Sequence, residues 1–99
     1  LTHVNGSPVL RNDPAANAMV REVATALFGA EQVGEVKPFM GSEDFAFMLE
    51  QHPHGSYFTI GAGDEPDRCM VHNPGYDFND ALLLTGAALW CGLTEHYLR

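Results

Sequence analysis

Apolar positions along the chain recur at two spacings, and glycine, proline and asparagine mark the points where one spacing gives way to the other. Ala18, Val23, Ala26 and Leu27 share a face at helical spacing, after a start at Asn12-Asp13-Pro14 and before a stop at Gly29. Asp13 is placed to cap the free amides of that helix, and Pro14 suits its first position. Residues 4–10 read as an edge strand, because a central strand would not tolerate Gly6 and Pro8. Residues 33–37 read as a second, short strand. Met40-Gly41-Ser42 turns the chain into a second helix, with Ser42 as its cap, Glu43 and Asp44 at the positive end of its dipole, and His52-Pro53 as its end. Residues 56–60, carrying Tyr57, Phe58 and Ile60, give the clearest strand, closed by Gly61-Ala62-Gly63. A polar loop over 64–76 leads to a last helix, from Asp80 to about residue 97, capped by Asp77 or Asn79.

Strand and helix thus alternate, which predicts an α/β fold with its sheet between helix layers. The last helix sits oddly in so short a chain. Leu82, Leu83, Leu84, Leu89, Trp90 and Leu93 cover most of its circumference, and a helix apolar all round wants cover on more than one side. That points to a larger body than these residues supply. The first residue, Leu1, leads to the same expectation of a piece cut from a longer polypeptide.

Composition narrows the function classes. The chain has 99 residues, 45% hydrophobic and 18% charged, enough for one ordinary globular domain with a thin core. Thirteen acidic residues against 5 basic ones give a net charge of -8, which repels phosphate backbones and anionic lipid, so neither nucleic acid nor membrane is an expected partner. The longest apolar stretch, 81–93, is too short for a membrane span of about 20 residues. Cys69 and Cys91 lie far apart, as suits a reducing compartment such as the cytoplasm rather than a disulfide scaffold.

Two stretches carry candidate chemistry. In Cys69-Met70-Val71-His72-Asn73-Pro74-Gly75-Tyr76-Asp77-Phe78-Asn79-Asp80, His72 precedes a stiff Asn-Pro-Gly turn, and a metal ligand needs the fixed imidazole direction that such a turn gives. An ordinary exposed loop histidine is the plain alternative, since histidine is usually at the surface. Cys69 and His72 also make half of a structural zinc site, with no second pair to complete it. In Gly41-Ser42-Glu43-Asp44-Phe45, Gly41 permits close backbone approach and the amides at the helix start suit a carboxylate guest. An ordinary capped helix start explains the same residues. Glu43 and Asp44 oppose an anion there unless one of them turns away, to orient a ligand or a metal-held water. His52, His54 and His3 read as solvent-facing, and His96 as a favourable charge near the end of the last helix. No serine has a histidine partner, and no phosphate-binding glycine loop is present.

Taken in order, Asn12-Asp13-Pro14, Met40-Gly41-Ser42-Glu43-Asp44-Phe45, Tyr57-Phe58-Thr59-Ile60-Gly61, and Val71-His72-Asn73-Pro74 with Tyr76-Asp77-Phe78-Asn79-Asp80 resemble the hippurate hydrolase and auxin-conjugate hydrolase family. That family lies within the wider aminoacylase and zinc carboxypeptidase superfamily of metallopeptidases. The resemblance covers almost the whole chain and is most specific in its last stretch. It implies a three-layer catalytic domain interrupted by a lid, with residues 1–11 ending the lid (dimerisation) domain and 12–99 forming the C-terminal portion of the catalytic domain. It implies a site of two divalent metal ions, zinc, manganese, cobalt or nickel, with His72 as one ligand. Gly41 and Ser42 would lie near the substrate's carboxylate, and Glu43 and Asp44 would stand behind them. The remaining ligands and the glutamate that serves as general base would come from the rest of the same polypeptide, upstream. The implied reaction cleaves the amide bond of a small N-acyl amino acid to a carboxylic acid and an amino acid, in an enzyme that pairs through its lid. This segment by itself would then be inactive. Without the resemblance two other readings stay open: a self-standing acidic α/β binding module, and a small structural-zinc domain built on Cys69 and His72.

Overall fold

The computed structural model describes residues 2, 6–63, 65 and 68–99, and its regular structure there is entirely helical. Helix α1 spans Pro14–Phe28, α2 spans Phe45–Gln51 and α3 spans Leu83–Tyr97, with short 3-10 turns at Ala30–Gln32 and Asp80–Leu82. Two compact units divide the chain, Leu1–Phe58 and Thr59–Arg99.

In the first unit, α1 starts and stops where its sequence dictates. The Asp13 carboxylate accepts the Ala16 amide proton at 2.9 Å, and Pro14 fills the first turn, where a missing N–H costs nothing. At the other end Gly29 takes φ 92° and donates to the Thr25 carbonyl. Only Val23 of the expected apolar face is buried, and Leu27 stays 46% exposed. Helix α2 buries Ala46 and Leu49, and ends at His52, whose N–H reaches the Met48 carbonyl at 2.8 Å.

In the second unit, Asn79 is the working cap. Its Oδ1 accepts from Ala81 N at 3.1 Å at the start of the 3-10 turn that leads into α3. Asp77, the other candidate, does not take that role. Leu89 and Leu93, one turn apart, are the buried residues of α3, whereas Leu83 and Leu84 are 71% and 84% exposed. His96 occupies the last turn, as expected. No helix is long and apolar enough to cross a membrane among the described residues.

The expected α/β architecture, a three-layer arrangement with a sheet between helices, is overturned. None of residues 6–10, 33–37 or 56–60 forms a strand, and no sheet exists among the described residues. His3 and the start of the strand expected at 4–10 lie outside the described residues, as do parts of the 64–76 loop. The physical reason is that β-propensity alone does not make a strand; a strand is stable only as a member of a ladder. At Tyr57, the centre of the clearest candidate, both backbone groups are taken by one side chain. Tyr57 N–H donates to Asn12 Oδ1 at 2.8 Å, and Asn12 Nδ2 donates to the Tyr57 carbonyl at 2.7 Å. Asp13 N–H donates to the Gly55 carbonyl at 2.9 Å, and Ser56 Oγ donates to Asn17 Oδ1 at 3.3 Å. The start of α1 thus occupies the edge where a neighbouring strand would pair.

Candidate functional site

His72 sits at the crest of two successive turns. Asn73 N–H donates to the Met70 carbonyl at 3.1 Å, so Met70, Val71, His72 and Asn73 form the first. His72, at its third position, has φ 68°, the one positive value at a non-glycine residue among those described. Turns that need positive φ there ordinarily use glycine, and another residue held in that region costs about 1–3 kcal/mol. Histidine tolerates it better than branched side chains do, but the backbone by itself would favour glycine. The second turn follows at once: Tyr76 N–H donates to the Asn73 carbonyl at 2.9 Å, with Pro74 pre-setting its own φ at the second position. Asn73 Oδ1 accepts from Gly75 N at 2.8 Å, which locks the same four residues.

The loop is closed from below and at its end. A Cβ on Gly75 would meet Cys69 Sγ at 3.2 Å, so the thiol lies against the turn and the glycine is needed for the approach. Tyr76 and Phe78 stack edge to face at 5.2 Å. Asn79, besides capping, donates from Nδ2 to the Ala62 carbonyl at 3.0 Å and so ties the loop's exit to its entry. The imidazole of His72 itself is exposed. A rigid turn carrying an exposed side chain, at a position where that side chain opposes the backbone's preference, is a suitable mount for one metal ligand.

Among the described residues no three of His, Cys, Asp or Glu come together to hold a metal ion. A zinc site needs three or four protein ligands, and the described residues do not gather such a set. The structural-zinc reading fails the same test among the described residues, because Cys69 and His72 gather no third donor there.

The second candidate stretch belongs to the unit Leu1–Phe58. Gly41 and Ser42 are exposed, and a Cβ on Gly41 would meet the Phe39 ring at 3.0 Å, so glycine there is a matter of close approach. Ser42 does not cap α2. Glu43 does: its Oε1 accepts the Phe45 amide proton at 3.1 Å, while its carbonyl accepts from Ala46 N at 3.2 Å and the Asp44 carbonyl accepts from Phe47 N at 3.0 Å. A longer acidic side chain reaches back over the helix start where the serine, one residue further out, does not. The first amide of α2, that of Phe45, is therefore taken by the chain's own carboxylate. Asp44 is exposed and makes no side-chain cap. Hydrogen bonding toward Glu43 first, then that residue's negative charge, raise the Tyr57 pKa above the usual 10.0. Its ring lies 5.8 Å from that of Phe45. Sequence reasoning missed the pairing of Asn12 with Tyr57. Their spacing of 45 residues leaves no local pattern to read.

A shallow depression on α3, lined by Trp90, Cys91, Thr94 and Glu95, contains none of the candidate site residues.

A family model described as "Peptidase family M20/M25/M40" matches residues 1–96. The Bacillus subtilis protein YhaA, which its name places provisionally among amidohydrolases, is 34% identical over 98% of this chain and 25% of its own length. An IAA-amino acid hydrolase of Arabidopsis thaliana is 32% identical over 92% of the chain and 21% of its own length. The hippurate hydrolase of Campylobacter jejuni is 34% identical over 94% of the chain and 24% of its own length. The chain therefore spans a fifth to a quarter of the curated relatives it matches here. No solved structure gives a significant match.

Proposed function

The chain belongs to peptidase family M20/M25/M40, and from that premise we propose that it is the C-terminal segment of a metal-dependent amidohydrolase. The proposed substrates are N-acyl amino acids of the hippurate type, cleaved to a carboxylic acid and an amino acid. The observation that carries the reading is similarity running over nearly the whole chain to proteins named for such substrates, with His72 mounted on a rigid turn inside the matched region.

In this reading residues 1–11 end a lid domain through which the enzyme pairs, and residues 12–99 complete the catalytic domain. His72 supplies one imidazole to a centre of two divalent ions. When bound, such ions polarise a scissile carbonyl and activate water near neutral pH. The work of this chain's residues is to place groups. The paired turns fix the direction of the His72 ring, and the Gly41-Ser42 backbone, unencumbered by a Cβ at Gly41, lies against the substrate's carboxylate. Glu43 and Asp44 stand behind that backbone. The general base and the remaining ligands come from upstream in the same polypeptide. The two free cysteines are consistent with the cytoplasm as the working compartment.

The test is turnover by the intact enzyme on a panel of N-acyl amino acids that includes hippurate, after chelation and after return of zinc, manganese, cobalt or nickel. Activity should vanish on chelation and return with metal. His72→Ala should lower turnover more than about 100-fold, since partners standing behind a metal ligand already cost about 10–100-fold. Near-normal turnover by that variant with saturating metal contradicts the assignment.

A further inference from the structure

The paired turns join residues within 70–76, so they set the direction of His72 within its loop. A metal ligand needs more than that. Its loop must also be placed to within about 0.5 Å of the donors that other parts of the polypeptide supply. A side chain closes the base of this loop. Asn79 donates from Nδ2 to the Ala62 carbonyl at 3.0 Å, across 17 residues, and its Oδ1 accepts from Ala81 N at 3.1 Å. One amide thus joins the residue before the loop to the 3-10 turn that leads into α3. Gly63, at φ 106°, sits at the same point: a Cβ there would lie 3.9 Å from both Asn79 Nδ2 and Arg68 Nε. Arg68 Nε is buried without a hydrogen-bond partner, while Arg68 Nη2 donates to Glu65 Oε2 at 2.8 Å. Next to Arg68, the Cys69 thiol lies against Gly75, within the turn that begins one residue after His72. A line of contacts therefore runs from Asn79, by way of 68–69, to the mount of His72.

We infer that Asn79 is a positioning residue for His72: its hydrogen bond to Ala62 holds the loop on the start of α3 and so presets where the imidazole meets a metal ion. The inference rests on the reading of His72 as a metal ligand. Asn79 acts through the loop and not on the ion. Its two hydrogen bonds have separable roles. The Oδ1 cap stabilises the helix start, whereas the Nδ2 tie orders the loop before metal arrives. Without the tie, metal binding must also order the loop, and affinity falls by the fraction of time the loop is correctly placed.

Asn79→Ser separates the cap from the tie in the intact enzyme. Serine caps a helix about as well as asparagine, carries no charge, and is too short to reach Ala62 as well. Zinc affinity, read by competition with a chromogenic chelator, should fall about three- to tenfold at the site that His72→Gly abolishes. That is the fold-change to which the net worth of one neutral hydrogen bond corresponds. In the metal-free enzyme, amide exchange should quicken at 68–73 and stay as in wild type along 86–97. Asn79→Ala should lose as much affinity and also quicken exchange at the start of α3. Were Asn79 only a cap, the serine variant would bind zinc as wild type does, and that result overturns the inference. Lost affinity with equally faster exchange all along α3 overturns it too, since the helix and not the loop would then have moved. The His72→Gly arm tests the reading beneath. If His72→Gly keeps wild-type zinc affinity, the ligand reading has failed and the positioning role falls with it. If His72→Gly loses zinc while Asn79→Ser binds it as tightly as wild type, the positioning role alone is refuted.

Discussion

The two stretches that carry candidate chemistry are held in opposite ways. The loop around His72 is built from neighbours: turns closed by Met70, Asn73 and Tyr76, a thiol three residues away, and an asparagine cap at the loop's exit. The stretch at 41–44 leads straight into a residue packed on one remote in sequence, since the Phe45 ring lies 5.8 Å from that of Tyr57 and Tyr57 is fixed by Asn12. The paired turns survive as a local motif because the contacts that close them each span a few residues and cost little loop entropy. The second arrangement exists only once its unit has folded. Paired turns can therefore be carried in a few consecutive residues, whereas the stretch at 41–44 takes its surroundings from the fold.

The sharpest way to break this contrast is at Asn12. Asn12→Ala removes two hydrogen bonds that span 45 residues, each worth about 0.5–1.5 kcal/mol, so the intact protein should lose about 1–3 kcal/mol in denaturant unfolding. Amide protection at Tyr57 should fall, while the loop at 69–76 keeps the protection of wild type. Equal loss of protection in both stretches would show that the loop is not locally held. A smaller effect is expected at the exit of the loop. Asn79→Ala should cost about 1 kcal/mol, as for a lost cap, and Asp77→Ala close to nothing. Thermal melts of the two variants rank them, and the reverse order would return the cap to Asp77.

The same contrast explains what could be read from the sequence. The boundaries of α1 were readable because Asp13, Pro14 and Gly29 act on the residues beside them. The turn that follows His72 was readable because Asn73-Pro74-Gly75 declares it. The sheet was not, because alternation of Tyr57, Phe58 and Ile60 reports a tendency, while a strand requires a partner edge that local pattern cannot supply. Here the side chain of Asn12 and the backbone of Asp13 take the edge at 55–57. The cap of α2 was misplaced onto Ser42 for a related reason. Residue type favours serine, but Glu43, one position nearer, reaches Phe45 N–H. The apolar girth of α3 was visible in the sequence, and the structure buries only Leu89 and Leu93 of it.

The central claim is that this chain gives one metal ligand, His72, to a centre completed elsewhere in the polypeptide. Metal content of the intact enzyme tests it most directly, compared between wild type and His72→Gly. Glycine is the informative replacement because it suits the backbone at φ 68° and relieves whatever strain the histidine bears, so the variant's melting temperature should match or exceed wild type. The account predicts a stable variant that retains about one divalent ion fewer per subunit after dialysis. A His72→Gly enzyme that keeps the full wild-type complement of metal, at the same affinity, would contradict it.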